Sequence, residues 1–124
     1  MPVITRPALP THELSGARFT SLATPTSGAT STSVWEVEIS PGTPARPHRL
    51  TAEEVFVILS GTARVCIADT ETTVMPGDCI VVPVDTDFSI SVIGAESLRA
   101  ICCLPVGGQA VLPDGQTFIP PWAM

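Results

Sequence analysis

The chain has no lysine. All six of its cations are arginines, set against twelve carboxylates for a formal charge of -6. A nucleic-acid partner needs a basic surface for its phosphates, so that class of partner is excluded. Schiff-base catalysis by lysine and a lysine-bearing phosphate loop are excluded with it. Histidine is scarce too, with only His12 and His48 present. No run of about eighteen apolar residues exists to span a membrane as a helix. The opening MPVITRPALP places prolines where a secretory signal needs an unbroken apolar stretch, so the expectation is a cytoplasmic protein without a signal peptide. The four cysteines, Cys66, Cys79, Cys102 and Cys103, include no CxxC pair and read as buried thiols in a reducing compartment. Cys102 and Cys103 are neighbours, so on a strand one faces inward and the other outward. The alternative to a purely structural role is that one of that pair lines a pocket.

What the chain does have is apolar content and punctuation. Hydrophobic residues make up 44% of 124 residues, enough for one domain with a core and too few for two ordinary domains. Thirteen prolines and the absence of a long amphipathic period argue against helices. Residues 1–33 read as an N-terminal arm, a first strand at 17–23 and a flexible loop rich in Thr, Ser, Gly and Pro. His12, in that arm, reads as a surface residue. Val34 to Ile39 alternates cleanly, with Trp35, Val37 and Ile39 toward a core and Glu36 and Glu38 toward solvent. Short strands then follow at 45–50, 55–59, 62–68, 72–74, 79–82, 88–93 and 98–104, separated by turns such as Pro76-Gly77-Asp78. The unbroken apolar run Cys79 to Val82 predicts burial on both faces. Residues 105–124 form a Pro- and Gly-rich tail ending FIPPWAM, whose Phe118, Ile119 and Trp122 are expected to pack across the mouth of the β-barrel or onto a second subunit.

Chemistry concentrates in Gly42 to Gly61, GTPARPHRLTAEEVFVILSG. This stretch holds His48 and the only adjacent carboxylates, Glu53 and Glu54. Its spacing is Gly42, five residues, His48, Arg49, Leu50, three residues, Glu54, six residues, Gly61. Further on, Gly77 is followed after five residues by Pro83, then Asp85, Phe88 and Val92.

These two stretches resemble the paired motifs of the cupin superfamily over residues 34–104. The resemblance implies an all-β, double-stranded β-helix (jelly-roll) barrel with extended N- and C-terminal arms. In metal-binding cupins three histidines and a glutamate hold one ion. Carried over by position, His48 and Glu54 keep their places, while Leu50 and Phe88 replace the other two histidines and Asp85 replaces a glycine. The resemblance therefore leaves an incomplete metal set of His48 and Glu54, with Glu53, Asp87, Cys102 and Cys103 as candidates to complete it around a divalent metal such as Fe, Mn, Ni or Zn.

The leading expectation needs no cofactor. A carboxyl group in an apolar barrel must pair or hold a proton. His48 is the nearest cation that the motif offers to Glu54, with Arg64 and Arg99 as alternatives. Such a pair suits acid–base proton transfer of the isomerase, epimerase, dehydratase or cyclase type. The substrate would be small and fairly apolar, bound in a pocket including Leu50, Phe56, Phe88 and Cys102. A metal-dependent oxygenase or isomerase with a non-standard ligand set and a non-catalytic ligand-binding barrel are the alternatives. Arg46 and Arg49, flanking His48, are expected to point away from the cavity. The family's habit of pairing barrels edge to edge implies a homodimer.

Overall fold

The computed structural model describes residues 2–124. Twelve strands run in chain order: β1 (His12–Leu14), β2 (Ala17–Ala23), β3 (Thr32–Ile39), β4 (Arg49–Leu50), β5 (Glu54–Ser60), β6 (Thr62–Ile67), β7 (Thr70–Val74), β8 (Cys79–Val82), β9 (Phe88–Ile93), β10 (Leu98–Pro105), β11 (Ala110–Val111) and β12 (Thr117–Phe118). Among the described residues only two single turns of 3-10 helix interrupt them, at Pro25–Ser27 and Pro121–Ala123. The expected all-β architecture is the one observed.

One six-stranded antiparallel sheet, ordered β1-β2-β3-β10-β5-β8, faces a three-stranded sheet ordered β7-β6-β9. A smaller sheet, β12-β11-β4, lies beside them. The result is a jelly roll whose sheets do not close into one continuous hydrogen-bonded cylinder. Strand alternation explains the core. Trp35 and Val37 of β3, Phe56 and Ile58 of β5, and Leu98, Ala100, Cys102 and Leu104 of β10 turn inward. They meet Ala63, Val65 and Phe88 from the opposing sheet in one buried cluster. A slip of one residue in β10 would turn Arg99 inward and Ala100 out, so burial fixes the register.

Two turns show how the motif spacing is enforced. Gly61 has φ +82, and a Cβ there would come within 2.5 Å of the Ser97 carbonyl oxygen, so only glycine fits. Asp85, standing where the family pattern has glycine, keeps the same left-handed backbone with φ 54. Aspartate tolerates that region better than most residues, and the turn survives the replacement.

Five expectations from the sequence need correction. The strand expected at 45–50 is reduced to Arg49–Leu50, because Pro44 and Pro47 lack the N–H that a ladder requires. The arm and tail are less irregular than composition suggests: His12–Leu14 pairs with β2, and the tail supplies β11 and β12. The run Cys79 to Val82 is buried on one face only, with Val81 50% exposed, since among the described residues nothing packs over the outside of β8. Cys79 is therefore exposed, and of the four cysteines expected as buried thiols only Cys102 is fully buried. Glu36 is buried rather than solvated. Arg6 reaches back from the arm and Arg99 across from β10, and both hydrogen-bond its carboxylate. Burial alone would raise the Glu36 pKa, but the hydrogen bonds and charges of the two arginines outweigh it and hold the group below the usual carboxylate range. Glu38 pairs with Arg18 of β2 on the same outer face.

Candidate functional site

A cavity of about 270 Å³ opens at one end of the roll, between the six-stranded sheet, β9 and the C-terminal segment. Each wall comes from a strand whose alternation points that residue inward. Trp35 and Phe56 line it from the large sheet, Phe88 and Ile90 from β9 and Leu50 from β4. Its roof is aromatic: Trp122 stacks on Phe19 with ring centroids 3.6 Å apart and planes within 6°. The tail is held there by four hydrogen bonds to its backbone, one of them from the Thr26 N–H to the Met124 carbonyl and three from side chains. Ser21 Oγ donates to the Trp122 carbonyl, Ser33 Oγ to that of Ala123 and Thr26 Oγ1 to that of Met124. A second cavity, about 220 Å³ between β6, β7 and β8, is lined by aliphatic residues, Thr70, Thr72 and Cys79 and contains no histidine or carboxylate.

Leu50, Phe56, Phe88 and Cys102 all line the larger cavity, as do His48 and Glu54. Glu54 opens β5, opposite Val82 of β8, where alternation places it on the inner face with Phe56. It is 5% exposed, and among the described residues no group hydrogen-bonds its carboxyl oxygens. With no compensating charge, burial pushes its pKa up to about 8. Glu54 is therefore a neutral acid at neutral pH, with an O–H to donate into the cavity.

His48 sits at the end of the proline-rich approach to β4, joined to Phe88 by one antiparallel bridge. Its N–H donates to the Phe88 carbonyl at 3.1 Å and the Phe88 N–H donates back at 3.0 Å. The two rings lie 4.3 Å apart and tilted by 53°. The imidazole Nδ1 lies 3.1 Å from the Arg46 carbonyl oxygen. A carbonyl only accepts, so Nδ1 carries the hydrogen and Nε2 keeps its lone pair. Burial lowers the His48 pKa, and the Arg46 carbonyl opposes this only in part. The imidazole is thus neutral at neutral pH.

The expected ion pair between these groups does not form. Burial alone sets the state of Glu54, and no carboxylate contributes to that of His48. Arg64 and Arg99 do not replace the histidine: Arg99 is bound to Glu36 on the outer face and Arg64 is exposed on β6. Of the two alternatives for a carboxyl in an apolar barrel, Glu54 takes the proton. Arg46 also departs from expectation, because it lines the cavity mouth. Arg49 does turn away, held by Asp87 at 2.7 Å and by Asp85 at 3.4 Å.

A metal fits this donor set poorly. Among the described residues no cluster of three or more His, Cys, Asp or Glu side chains is placed to hold an ion. Leu50 and Phe88, at two of the family's ligand positions, are buried apolar residues. The candidates to complete the set go elsewhere. Asp87 is engaged by Arg49, Glu53 is exposed, and Cys103 lies on the outer side of β10. Cys102 is inside, but its thiol is fully buried. Burial, with Glu54 nearby, raises its pKa well above the ordinary thiol value and disfavours the thiolate that a metal needs.

The sequence points to the floor of this cavity and to the tail aromatics Phe118 and Trp122 at its mouth, both of which the structure places in the lining, and it gives no sign of Phe19. Phe118 and Trp122 reach the cavity through the tail, as the apolar content of FIPPWAM implies, while Phe19 reaches it through β2, where its alternation marks only an inward face.

Comparison with known proteins fits this architecture. No curated protein matches the sequence. Among solved structures, the cupin domain of Schizosaccharomyces pombe Cnp3 is 22% identical with a TM-score of 0.65, over 77% of this chain and 69% of that one. The polyketide cyclase RemF from Streptomyces resistomycificus is 20% identical with a TM-score of 0.69, over 95% and 82%. KdgF from Halomonas sp. is 18% identical with a TM-score of 0.65, over 77% and 84%. The family pattern of the cupin domain matches residues 35–104, more than half of the chain, and the chain belongs to the cupin-domain family.

Proposed function

We propose that the protein is a small-molecule enzyme that transfers protons inside its barrel, with Glu54 as the acid and His48 as the base. The observation that carries this reading is the unpaired, neutral Glu54 carboxyl facing an apolar cavity that it shares with a neutral imidazole. Two titratable groups whose environments push their pKa values in opposite senses are the pairing that acid–base catalysis at neutral pH uses. Had the two formed an ion pair, each would have consumed the other's capacity. Unpaired, Glu54 has a proton to give and His48 a lone pair to receive one.

The aromatic walls supply apolar binding surface, and the stacked Phe19 and Trp122 rings cover part of the cavity opening, which limits the water that reaches a bound substrate. The reaction class is isomerisation, epimerisation, dehydration or cyclisation, none of which requires an external redox partner. That a polyketide cyclase shares the fold over 95% of this chain supports the class without naming the substrate.

A homodimer belongs to the same proposal. Its support is the exposed apolar side chains of Val57, Leu59 and Val81 on the outer side of β5 and β8, which a second copy would cover. Sedimentation equilibrium tests it, and a monomer at all loading concentrations contradicts it.

The function is tested by incubating carbonyl compounds with the protein in deuterium oxide and following loss of C–H signals by NMR. Wild type is expected to exchange protons beside the carbonyl. His48→Ala and Glu54→Gln variants that fold are expected to lose most of that rate. Unchanged exchange in both variants sinks the assignment.

A further inference from the structure

Resting on that reading, we propose that the cavity takes an uncharged, flat carbonyl compound carrying a C–H next to the carbonyl, binds its oxygen through Glu54 and rejects the corresponding carboxylate. The distribution of charge in the molecule carries this. Four of the six arginines are committed outside the cavity: Arg6 and Arg99 to Glu36, Arg18 to Glu38 and Arg49 to Asp85 and Asp87. Arg64 is exposed on β6, and Arg46, the one cation in the cavity lining, is itself exposed, so a carboxylate seated inside beside Glu54 meets no buried cation. A carboxylate there would lose its hydration without gaining a counter-charge, which costs far more than burying a neutral carbonyl that is given a hydrogen bond.

The shape of the cavity fixes the rest of the ligand. Phe19 and Trp122 present a stacked aromatic roof, and Trp35, Phe56 and Phe88 add further ring surfaces. Flat molecules cover such walls with the least loss of conformational freedom. At about 270 Å³ the cavity holds a compound of one or two fused rings.

The step balances without a co-reactant. His48 Nε2 takes the proton from the carbon beside the carbonyl. The C–H electron pair becomes a C=C bond, the C=O π pair moves to oxygen, and that oxygen takes the Glu54 proton. The enol forms between an imidazolium and a carboxylate. Return of the proton from His48 to either face or to a conjugated carbon, with Glu54 recovering the enol proton, completes an epimerisation or isomerisation.

Charge selectivity is tested by isothermal titration with 2-acetonaphthone and 2-naphthoate, two flat probes that differ in charge. At pH 6.5 wild type is expected to bind the ketone at least about tenfold tighter than the carboxylate. The groups around Glu54 that also titrate or carry charge are His48, the thiols of Cys102 and Cys103, and Arg46 at the mouth. Loss of the Glu54 proton lowers ketone affinity by about 30-fold between pH 6.5 and 9.5, as follows for a group half-ionised near pH 8. In Glu54→Gln, whose amide still donates but does not titrate, ketone binding is expected to persist with little pH dependence. Equal or tighter binding of the carboxylate, no binding of the ketone, or a flat wild-type pH profile overturns the proposal. Deuterium exchange of the acetonaphthone methyl group is read separately. Selective binding without exchange discards the catalytic reading and leaves the charge selectivity standing.

Discussion

His48 and Phe88 face each other across a single antiparallel bridge, their rings 4.3 Å apart. The family pattern implies two histidines at these positions, aimed at one ion. Here the second ring is a phenyl that packs on the first. The bridge therefore holds the two positions face to face, but the phenyl of Phe88 offers no metal ligand and Leu50 offers none either.

Restoring both ligands should restore metal binding. The double variant Leu50→His, Phe88→His adds two imidazoles to His48 and Glu54 and completes a four-ligand set. Elemental analysis after incubation with zinc or nickel is expected to show near-stoichiometric metal in a folded double variant and substantially less in wild type. Equal loading of the two proteins would show that the set does not depend on Leu50 and Phe88.

Glu54 makes stability fall as pH rises. Its folded-state pKa is raised to about 8 from 4.5, so between these values the folded protein binds a proton that the unfolded chain releases. Unfolding is then progressively favoured across that window, by up to about 5 kcal/mol at the top of it. Glu54→Gln removes the slope. Thermal melts should show the variant more stable than wild type at pH 8, with the advantage shrinking toward pH 5.

Glu36 acts in the opposite sense. Burial raises its pKa, but Arg6 and Arg99 together hold it below 4.5 in the folded state. Its stabilisation is present above 4.5 and is lost as pH falls through the lower folded value. Both arginines are partly exposed, so each alone contributes about 1 kcal/mol. Arg6→Ala, Arg99→Ala leaves a buried carboxylate unpaired and should cost about 3 kcal/mol, more than the two single losses combined. Urea unfolding at pH 7 of both singles and the double measures this.

Trp122 joins stability to the site. It stacks on Phe19 and roofs the cavity, so Trp122→Ala should lower stability by about 2 kcal/mol and open the cavity to water. The expected signature is a faster ligand off-rate in stopped-flow measurements, with the Glu54 titration shifted toward the ordinary carboxylate value.

Period-two alternation and turn spacing made the fold legible. The inward set of Trp35, Phe56 and Cys102, and the positions of Gly61 and Pro83, follow from residues close in sequence. The cavity floor was legible for the same reason, because His48, Leu50 and Glu54 lie within seven consecutive positions. What the sequence hid is long-range. Nothing in the composition of the arm says that Arg6 crosses thirty positions to Glu36, or that Trp122 meets Phe19. The outer face of β8 is not legible in the sequence, because an apolar run does not reveal whether a second layer covers it. The His48–Glu54 pairing failed because adjacency in a motif fixes which wall a group stands on, not the distance across the cavity.

The account rests on a proton held by Glu54, and carbon-13 NMR of selectively labelled glutamate side chains measures it directly. The Glu54 carboxyl resonance, assigned by its loss in Glu54→Gln, is predicted to titrate with a midpoint near pH 8. A midpoint near the ordinary value of 4.5 would show an ionised carboxylate in the cavity and contradict the account.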